Sequence, residues 1–289
     1  MDALLVVLAG GMSSRMKRAA ERAPEAEAHH VQDAREKAKA MIRVGPGGRP
    51  FLDFCLKNIA GAGYAEVVIV TGERDASIRG YYETEGHAGD FPSLAISYVV
   101  QRIPPGRNKP LGTADALLGV LQARPQWRGR KFTVCNSDNI YSVGALRDLL
   151  GDTHPNALID YDRGALGFPP ERTTQFAVIT TGEGGFVSDI IEKPSAADIA
   201  SAAEAGGRVG VSMNIFRLSY DVILPYLESV PLHPSRNEKE LPVAVRMLAS
   251  ERPRSVFAIR RSEAVPDLTR LADIPDVQKF ISTTRTDTR

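Results

Sequence analysis

Residues 4–17 read LLVVLAGGMSSRMK, an apolar, β-branched run that passes without a pause into two glycines, two serines, an arginine and a lysine. The run reads as a β-strand opening onto a phosphate cradle. Gly10 and Gly11 allow the backbone to approach an anion and to take positive φ, Ser13 and Ser14 carry hydroxyl donors, and Arg15 presents a planar fork of donors to phosphate oxygens. The spacing excludes two better-known loops: no Gly-Lys-Ser/Thr closes it, as a P-loop requires, and no G-x-G-x-x-G dinucleotide fingerprint is present. The plainer alternative is a glycine turn followed by a solvated arginine, and the rest of the chain weighs against it.

Working outward, residues 66–70, 96–100 and 131–134 are further apolar strands, separated by helical patterns near 51–60, 113–123 and 143–150. This alternation predicts an α/β fold with a doubly wound, mostly parallel, Rossmann-like sheet covered by helices on both faces. Ligands of such sheets sit beyond the carboxyl ends of the strands. The glycine loop follows the first strand and the cluster Asn136-Ser137-Asp138-Asn139 follows the fourth, so both fall on one rim. From about residue 156 the pattern changes to strands at 156–160, 175–180, 186–191 and 209–216 with an alanine-rich helix near 195–205. These predict added antiparallel strands and a wall for a second substrate. No linker divides the chain, which reads as one domain with a first half at 1–150 and a second half at 151–289. Residues 18–38 contain Val31 as their only large apolar side chain, so they are expected to form a solvated surface helix pair or a disordered loop, with a substrate lid as the alternative. His29 and His30 within them are expected to face solvent, with no third ligand at metal spacing.

The chain of 289 residues, 43% hydrophobic, has enough apolar material for a sizeable core. Lysine and arginine total 36 against 35 acids, which excludes a whole-protein field for capturing nucleic acid. Cys55 and Cys135 fit no zinc or redox spacing and lie in apolar stretches, as buried thiols do. No apolar stretch approaches membrane-spanning length, and Asp2 precedes a run too short and too soon interrupted for a signal peptide. A cytoplasmic location is expected, with no membrane partner.

Five segments, in this order, resemble the sugar-phosphate nucleotidyltransferases, the nucleotide-sugar pyrophosphorylases. Ala9-Gly10-Gly11-Met12-Ser13-Ser14-Arg15-Met16 is similar to the family's glycine loop, and its Ser-Ser-Arg-Met half looks like that of the molybdopterin guanylyltransferase relatives. The segment from Lys39 through Gly48-Arg49-Pro50 is similar to the family's lysine signature, with Lys39 as the matching lysine and Lys37 as its rival in register. Gln101 and the stretch from Lys109 to Ala116 resemble the part that reads the base edge. Gly112-Thr113 there is equally a helix start with a threonine cap, whose N-terminus favours an anion. Asp138 stands where the family binds magnesium, and Glu192-Lys193-Pro194 matches its sugar-phosphate motif. The strand around Asn214 resembles the one beside the sugar, and the segment around Asp267 resembles the one supplying a second metal aspartate. The chain departs from the pattern at Phe176-Ala177, usually Tyr-Gly, at Asn214, usually glycine, and around Asp267, which lacks the usual tryptophan and glycine.

The resemblance implies a GT-A-like nucleotidyltransferase fold and a nucleotide site at Leu8, Ala9, Gly10, Gly11, Ser13, Ser14, Arg15, Gln101, Gly112 and Thr113. It implies substrate contacts from Asn139, Glu192, Lys193 and Asn214, Mg2+ at Asp138 and Asp267, and catalytic roles for Arg15, Lys39 and Asp138. The implied partners are a nucleoside triphosphate, with UTP or dTTP favoured by the Gln101 match, and a sugar 1-phosphate. A phosphate oxygen of the sugar would attack the α-phosphorus and expel pyrophosphate, with positioning and charge neutralisation carrying the rate and no general base required. Two other readings stay open: a non-catalytic nucleotide- or sugar-sensing regulatory protein of the same fold, and a molybdopterin-type guanylyltransferase. Assembly into a homo-oligomer is also left open.

Overall fold

Strand β1 (Leu4–Ala9) feeds two cores at once. Leu5, Val7 and Ala9 join one cluster, and Leu4, Val6 and Leu8 join the other on the opposite face. The run lacks polar alternation because both faces of a pleated strand are covered. The structure, a computed structural model, describes residues 2–11, 16–17, 28–174, 176–204 and 207–284.

After β1 come helices α1 (Ala28–Glu36) and α2 (Phe51–Ala62), strands β2 (Glu66–Gly72) and β3 (Ala95–Gln101), and helix α3 (Thr113–Ala123). Then follow β4 (Lys131–Asn136), α4 (Val143–Gly151), β5 (Asn156–Asp162), the helical turn α5 (Pro170–Thr173), β6 (Val178–Thr181) and β7 (Val187–Ile191). The chain continues through α6 (Ala196–Ser201), β8 (Gly210–Ser219), α7 (Tyr220–Ser229), α8 (Leu241–Glu251), β9 (Val256–Arg261) and α9 (Ile274–Thr284). The sheet runs β3-β2-β1-β4-β8-β5-β9, with β6 pairing onto β8 and carrying β7. Strands β1 to β4 are mutually parallel, β8 lies antiparallel between β4 and β5, and β9 pairs parallel with β5.

Helices α2, α4 and α9 bury Leu52, Leu56, Leu146, Leu149, Ile274 and Val277 on one face of the sheet. Helices α3, α7 and α8 bury Leu117, Val120, Ile223, Leu227, Leu241 and Val245 on the other. The doubly wound sheet with added antiparallel strands is therefore the observed architecture. Connections lead from β1 outward to β2 and β3, and α3 returns the chain to β4 on the other side of β1. The strand order reverses there, which opens a crevice at the carboxyl ends of β1 and β4.

Helix α6 is shorter than its alanine-rich pattern suggested. Ser195 and Asp198 form a reciprocal capping box at its start, and it ends at Ser201. The segment 18–38 departs further from expectation. Residues 18–27 lie outside the described residues, but α1 is fastened to the protein by polar contacts. Asp33 is only 1% exposed and pairs with Arg43 at 2.7 Å and Lys37 at 2.9 Å. His30, expected in solvent, is 5% exposed, with Nε2 3.0 Å from the Arg43 carbonyl. Counting large apolar side chains missed this burial because hydrogen-bonded polar groups accomplish it. No helix among the described residues is long and apolar enough to cross a membrane.

Candidate functional site

The register of the parallel strands sets the site. Leu8 pairs with Asn136, Ala9 with Thr71, and Gly72 with Gln101, so the segments leaving β1, β3 and β4 emerge on one rim. The Ser137 N–H donates to the Leu8 carbonyl at 3.2 Å and holds the Asp138 segment against the end of β1. A cleft of about 450 Å³ opens there. Leu8, Ala9, Gly10, Gly11, Lys39, Gln101, Gly112, Thr113, Asp138, Glu192 and Asn214, all singled out in the sequence, line it. Ser13, Ser14 and Arg15 lie outside the described residues.

Neither Gly10 nor Gly11 takes the positive φ that the cradle reading allowed. What Gly10 supplies is close approach: a Cβ there would stand 3.0 Å from Gln101 Oε1. Gln101 is 8% exposed, and its Nε2 donates to the Gly112 carbonyl at 2.8 Å and to Asp115 Oδ2 at 3.0 Å. Gly112 has φ +107°, and a Cβ on it would meet the Lys239 carbonyl oxygen at 2.5 Å. Thr113 is the first residue of α3 rather than its side-chain cap, and its hydroxyl accepts from the Leu241 N–H at 2.9 Å. The Ala114 N–H donates to the Lys239 carbonyl at 3.0 Å, and the Lys239 N–H to the Leu111 carbonyl at 2.5 Å. Loop 231–240 is thus stitched along the segment that carries Gly112.

Lys39 reaches the other polar cluster, with Nζ 2.5 Å from Asp138 Oδ2. Its rival Lys37 turns to Asp33 instead. Asp267 does not line the cleft but lies against the Asp138 segment: Asn139 and Asp267 form an antiparallel bridge, and the Leu268 N–H donates to the Asp138 carbonyl at 2.8 Å. Burial, and next the negative charge of Asp138, push the Asp267 carboxyl above its ordinary value, against the Thr269 hydroxyl at 2.5 Å and Arg172 at 3.4 Å. Two mutually repelling carboxylates form a hard-oxygen pair suited to Mg2+, which takes one or two carboxylates and completes its shell with waters and substrate phosphates. No larger metal-binding group of His, Cys, Asp and Glu gathers among the described residues.

At the end of β7, burial and then the nearby Glu240 carboxylate push the Glu192 carboxyl upward, while Arg236 and Lys193 pull against them. Lys193 and Asn214 both adopt left-handed backbone, φ +49° and +57°. Asparagine tolerates this conformation better than most residues, which explains how Asn214 occupies a place where glycine was expected. Lys193 is exposed and does not line the cleft. Asn139 does not line it either: its side chain is 4% exposed, and its Oδ1 accepts from the Tyr141 hydroxyl at 3.4 Å. Sequence reasoning missed Arg236, Glu238 and Glu240, which line the cleft from loop 231–240. Arg236 pairs with Glu240 at 2.7 Å, and Lys109 with Glu238 at 2.7 Å. The available signal was the charge-dense run SRNEKE at 235–240 between two apolar helices.

A family model for nucleotidyl transferases matches residues 34–280. Glucose-1-phosphate adenylyltransferase 2 of Vibrio parahaemolyticus is 24% identical over 264 residues, covering 90% of this chain and 59% of that protein. The glucose-1-phosphate adenylyltransferase of Histophilus somni is 27% identical over 199 residues, 67% of this chain and 41% of its own length. The chain therefore spans about two fifths to three fifths of these curated relatives. Among solved structures, a UDP-glucose pyrophosphorylase complexed with UDP-glucose superposes with a TM-score of 0.71 at 17% identity, over 98% of this chain and 100% of the other. A UTP-bound UGPase from Acinetobacter baumannii gives a TM-score of 0.69 at 18% identity, over 97% and 93% of the two chains. With its strand switch point, the matched residues gathered in one cleft and the family model matching residues 34–280, the chain belongs to the nucleotidyl transferase family, of the sugar-phosphate kind that its motifs resemble.

Proposed function

We propose that the chain condenses a nucleoside triphosphate with a sugar 1-phosphate, forming a nucleotide sugar and releasing pyrophosphate, with UTP or dTTP as the preferred triphosphate. The observation that carries this is the gathering of Gly10 and Gly11, Gln101, the Lys39–Asp138 pair and Glu192 around one cleft at the strand switch point. Glucose 1-phosphate is the first sugar phosphate to try, because the curated relatives are named for it. In this proposal the nucleotide falls to the half at 1–150 and the sugar phosphate to the half at 151–289. Gln101 meets the base, Arg15 the leaving phosphates, Lys39 the α-phosphate and Glu192 the sugar hydroxyls, while Lys193, exposed and outside the lining of the cleft, is assigned the sugar phosphate on the motif match alone. A bound Mg2+, held by Asp138 with Asp267, would neutralise charge on the phosphates. The phosphate nucleophile is already ionised at neutral pH, so the residues of the cleft orient and neutralise and none need remove a proton. The two buried free thiols, Cys55 and Cys135, suit the reducing cytoplasm in which we place the reaction.

A second triphosphate, ATP, is favoured by one observation: the curated relatives reported above are adenylyltransferases. Pyrophosphate release measured for UTP, dTTP, ATP, GTP and CTP against a panel of hexose 1-phosphates decides between them. Asp138→Asn should cut turnover about 10² to 10³-fold, the loss typical of one well-placed electrostatic contributor. Nucleotide binding without pyrophosphate release from any pair would refute the catalytic assignment and favour a sensor.

A further inference from the structure

We infer that Asp115 is a positioning residue for base selection: it fixes the Gln101 amide so that Oε1, an acceptor, is the atom offered to the base, favouring uracil or thymine over cytosine. The inference rests on the nucleotide site proposed above and names what orients its reader.

Asp115 sits in the first turn of α3 and does not line the cleft. Its Oδ2 accepts from Gln101 Nε2 at 3.0 Å, beside the Gly112 carbonyl at 2.8 Å. An ionised carboxylate and a peptide carbonyl can only accept, so the amide's NH2 must face them and both of its hydrogens are engaged. Turning the amide over would set Oε1 against two acceptors. Oε1 therefore faces Gly10, 3.0 Å from where a Cβ on that residue would lie, and both residues line the cleft. Uracil and thymine carry an N3–H that donates to such an oxygen. Cytosine presents a lone pair at N3, which the same oxygen repels, and a buried reader without its matching partner rejects the ligand. Of the two anchors, Asp115 is the charged one and the stronger. An asparagine side chain in its place could donate to a reversed amide and would bring the two orientations close in energy.

The test measures the affinities of UTP and CTP for the wild-type protein, Asp115→Asn and Asp115→Ala by calorimetry, and the Gln101 side-chain NH2 signals by 15N NMR. Wild type should prefer UTP. In Asp115→Asn the UTP-to-CTP ratio should shrink about tenfold, the scale of a lost hydrogen bond to a charged group, with CTP bound more tightly than by wild type. A structural defect weakens both ligands and produces no gain. In Asp115→Ala the Gln101 NH2 hydrogens should exchange faster with water. An unchanged ratio in Asp115→Asn, or Gln101 NH2 signals indifferent to Asp115→Ala, overturns the inference. If wild type binds neither pyrimidine triphosphate while Asp115→Ala frees the amide, the positioning role is upheld and the pyrimidine reading falls.

Discussion

Replacing Gly112 with alanine places a methyl group where the backbone leaves no room. At a compatible site such a change gains about 0.4–1 kcal/mol, because the unfolded chain loses freedom. At Gly112 the sign reverses. With φ +107° and ψ −172°, the residue occupies a region open in practice only to glycine, which costs a side chain about 1–3 kcal/mol. The new Cβ would also lie 2.5 Å from the Lys239 carbonyl oxygen and 3.1 Å from its nitrogen, both backbone atoms that no rotamer change can move, adding about 1–3 kcal/mol of overpacking. A net loss of about 3 kcal/mol is expected, or roughly 5 °C in Tm for a chain of 289 residues. Gly86→Ala is the comparison without a clash: Gly86 lies in the milder left-handed region, φ +83° and ψ 7°, with nothing within 4 Å of a built Cβ, and should lose only about 1–2 kcal/mol. Moving residue 239 to relieve the clash breaks its bonds to Leu111 and Ala114 and shifts Arg236, Glu238 and Glu240 out of the cleft. Affinity for both triphosphate and sugar phosphate should then fall together. Urea melts of the two variants and calorimetric titration of each substrate check this. Equal stability losses for Gly112→Ala and Gly86→Ala, or unaltered substrate affinities in Gly112→Ala, would refute the reasoning.

Two further outcomes are expected. Lys39→Ala should damage triphosphate use far more than stability, because its ammonium sits on Asp138 in the cleft, whereas Lys37→Ala should lower Tm and spare turnover, because Lys37 pairs with Asp33; steady-state kinetics beside thermal melts separate them, and the reverse pattern restores Lys37 as the matching lysine. Burial by itself raises the Asp33 carboxyl, but the hydrogen bonds from Arg43 and Lys37 outweigh it and hold the group below its ordinary value of 3.8. A depressed carboxyl stabilises the fold above its unfolded value and loses that contribution as pH falls through the folded value. The gap in stability between wild type and Asp33→Asn, roughly 1–3 kcal/mol near pH 7 given partners that are partly exposed, should therefore close as pH drops below 3.8. A gap that stays constant across that range in melts followed by circular dichroism contradicts the assignment.

The residues whose environment is local were legible in the sequence. An apolar run that ends in Gly10-Gly11, a second that ends in Ser137-Asp138, and helical patterns between them are enough to place both polar clusters on one rim, because parallel strands all deliver their carboxyl ends to the same side. Helix α3 was legible to the residue from its apolar spacing. Strand β9 was not. It joins β5 across a long stretch of chain, and half of its side chains are partly exposed, so the alternation is weak within a segment rich in arginine.

Tertiary structure alone decided the matters that turn on which distant groups meet. Lys109 and Glu238 are 129 residues apart, yet they join the two loops over the cleft. Lys39 rather than Lys37 stands on Asp138 because α1 draws Lys37 to Asp33, and His30 is buried because the Arg43 carbonyl comes to it from another segment. A charged or amide side chain has no intrinsic orientation. Its partner supplies one, as Asp115 does for Gln101, and partners are assigned by the packing of the whole sheet. The sequence by itself thus determined the scaffold and the kinds of group on its rim, since backbone periodicity and polarity are properties of neighbouring residues. Which of those groups touch, and which partners hold the Gln101 amide, followed only from contacts between separate elements that no local pattern encodes.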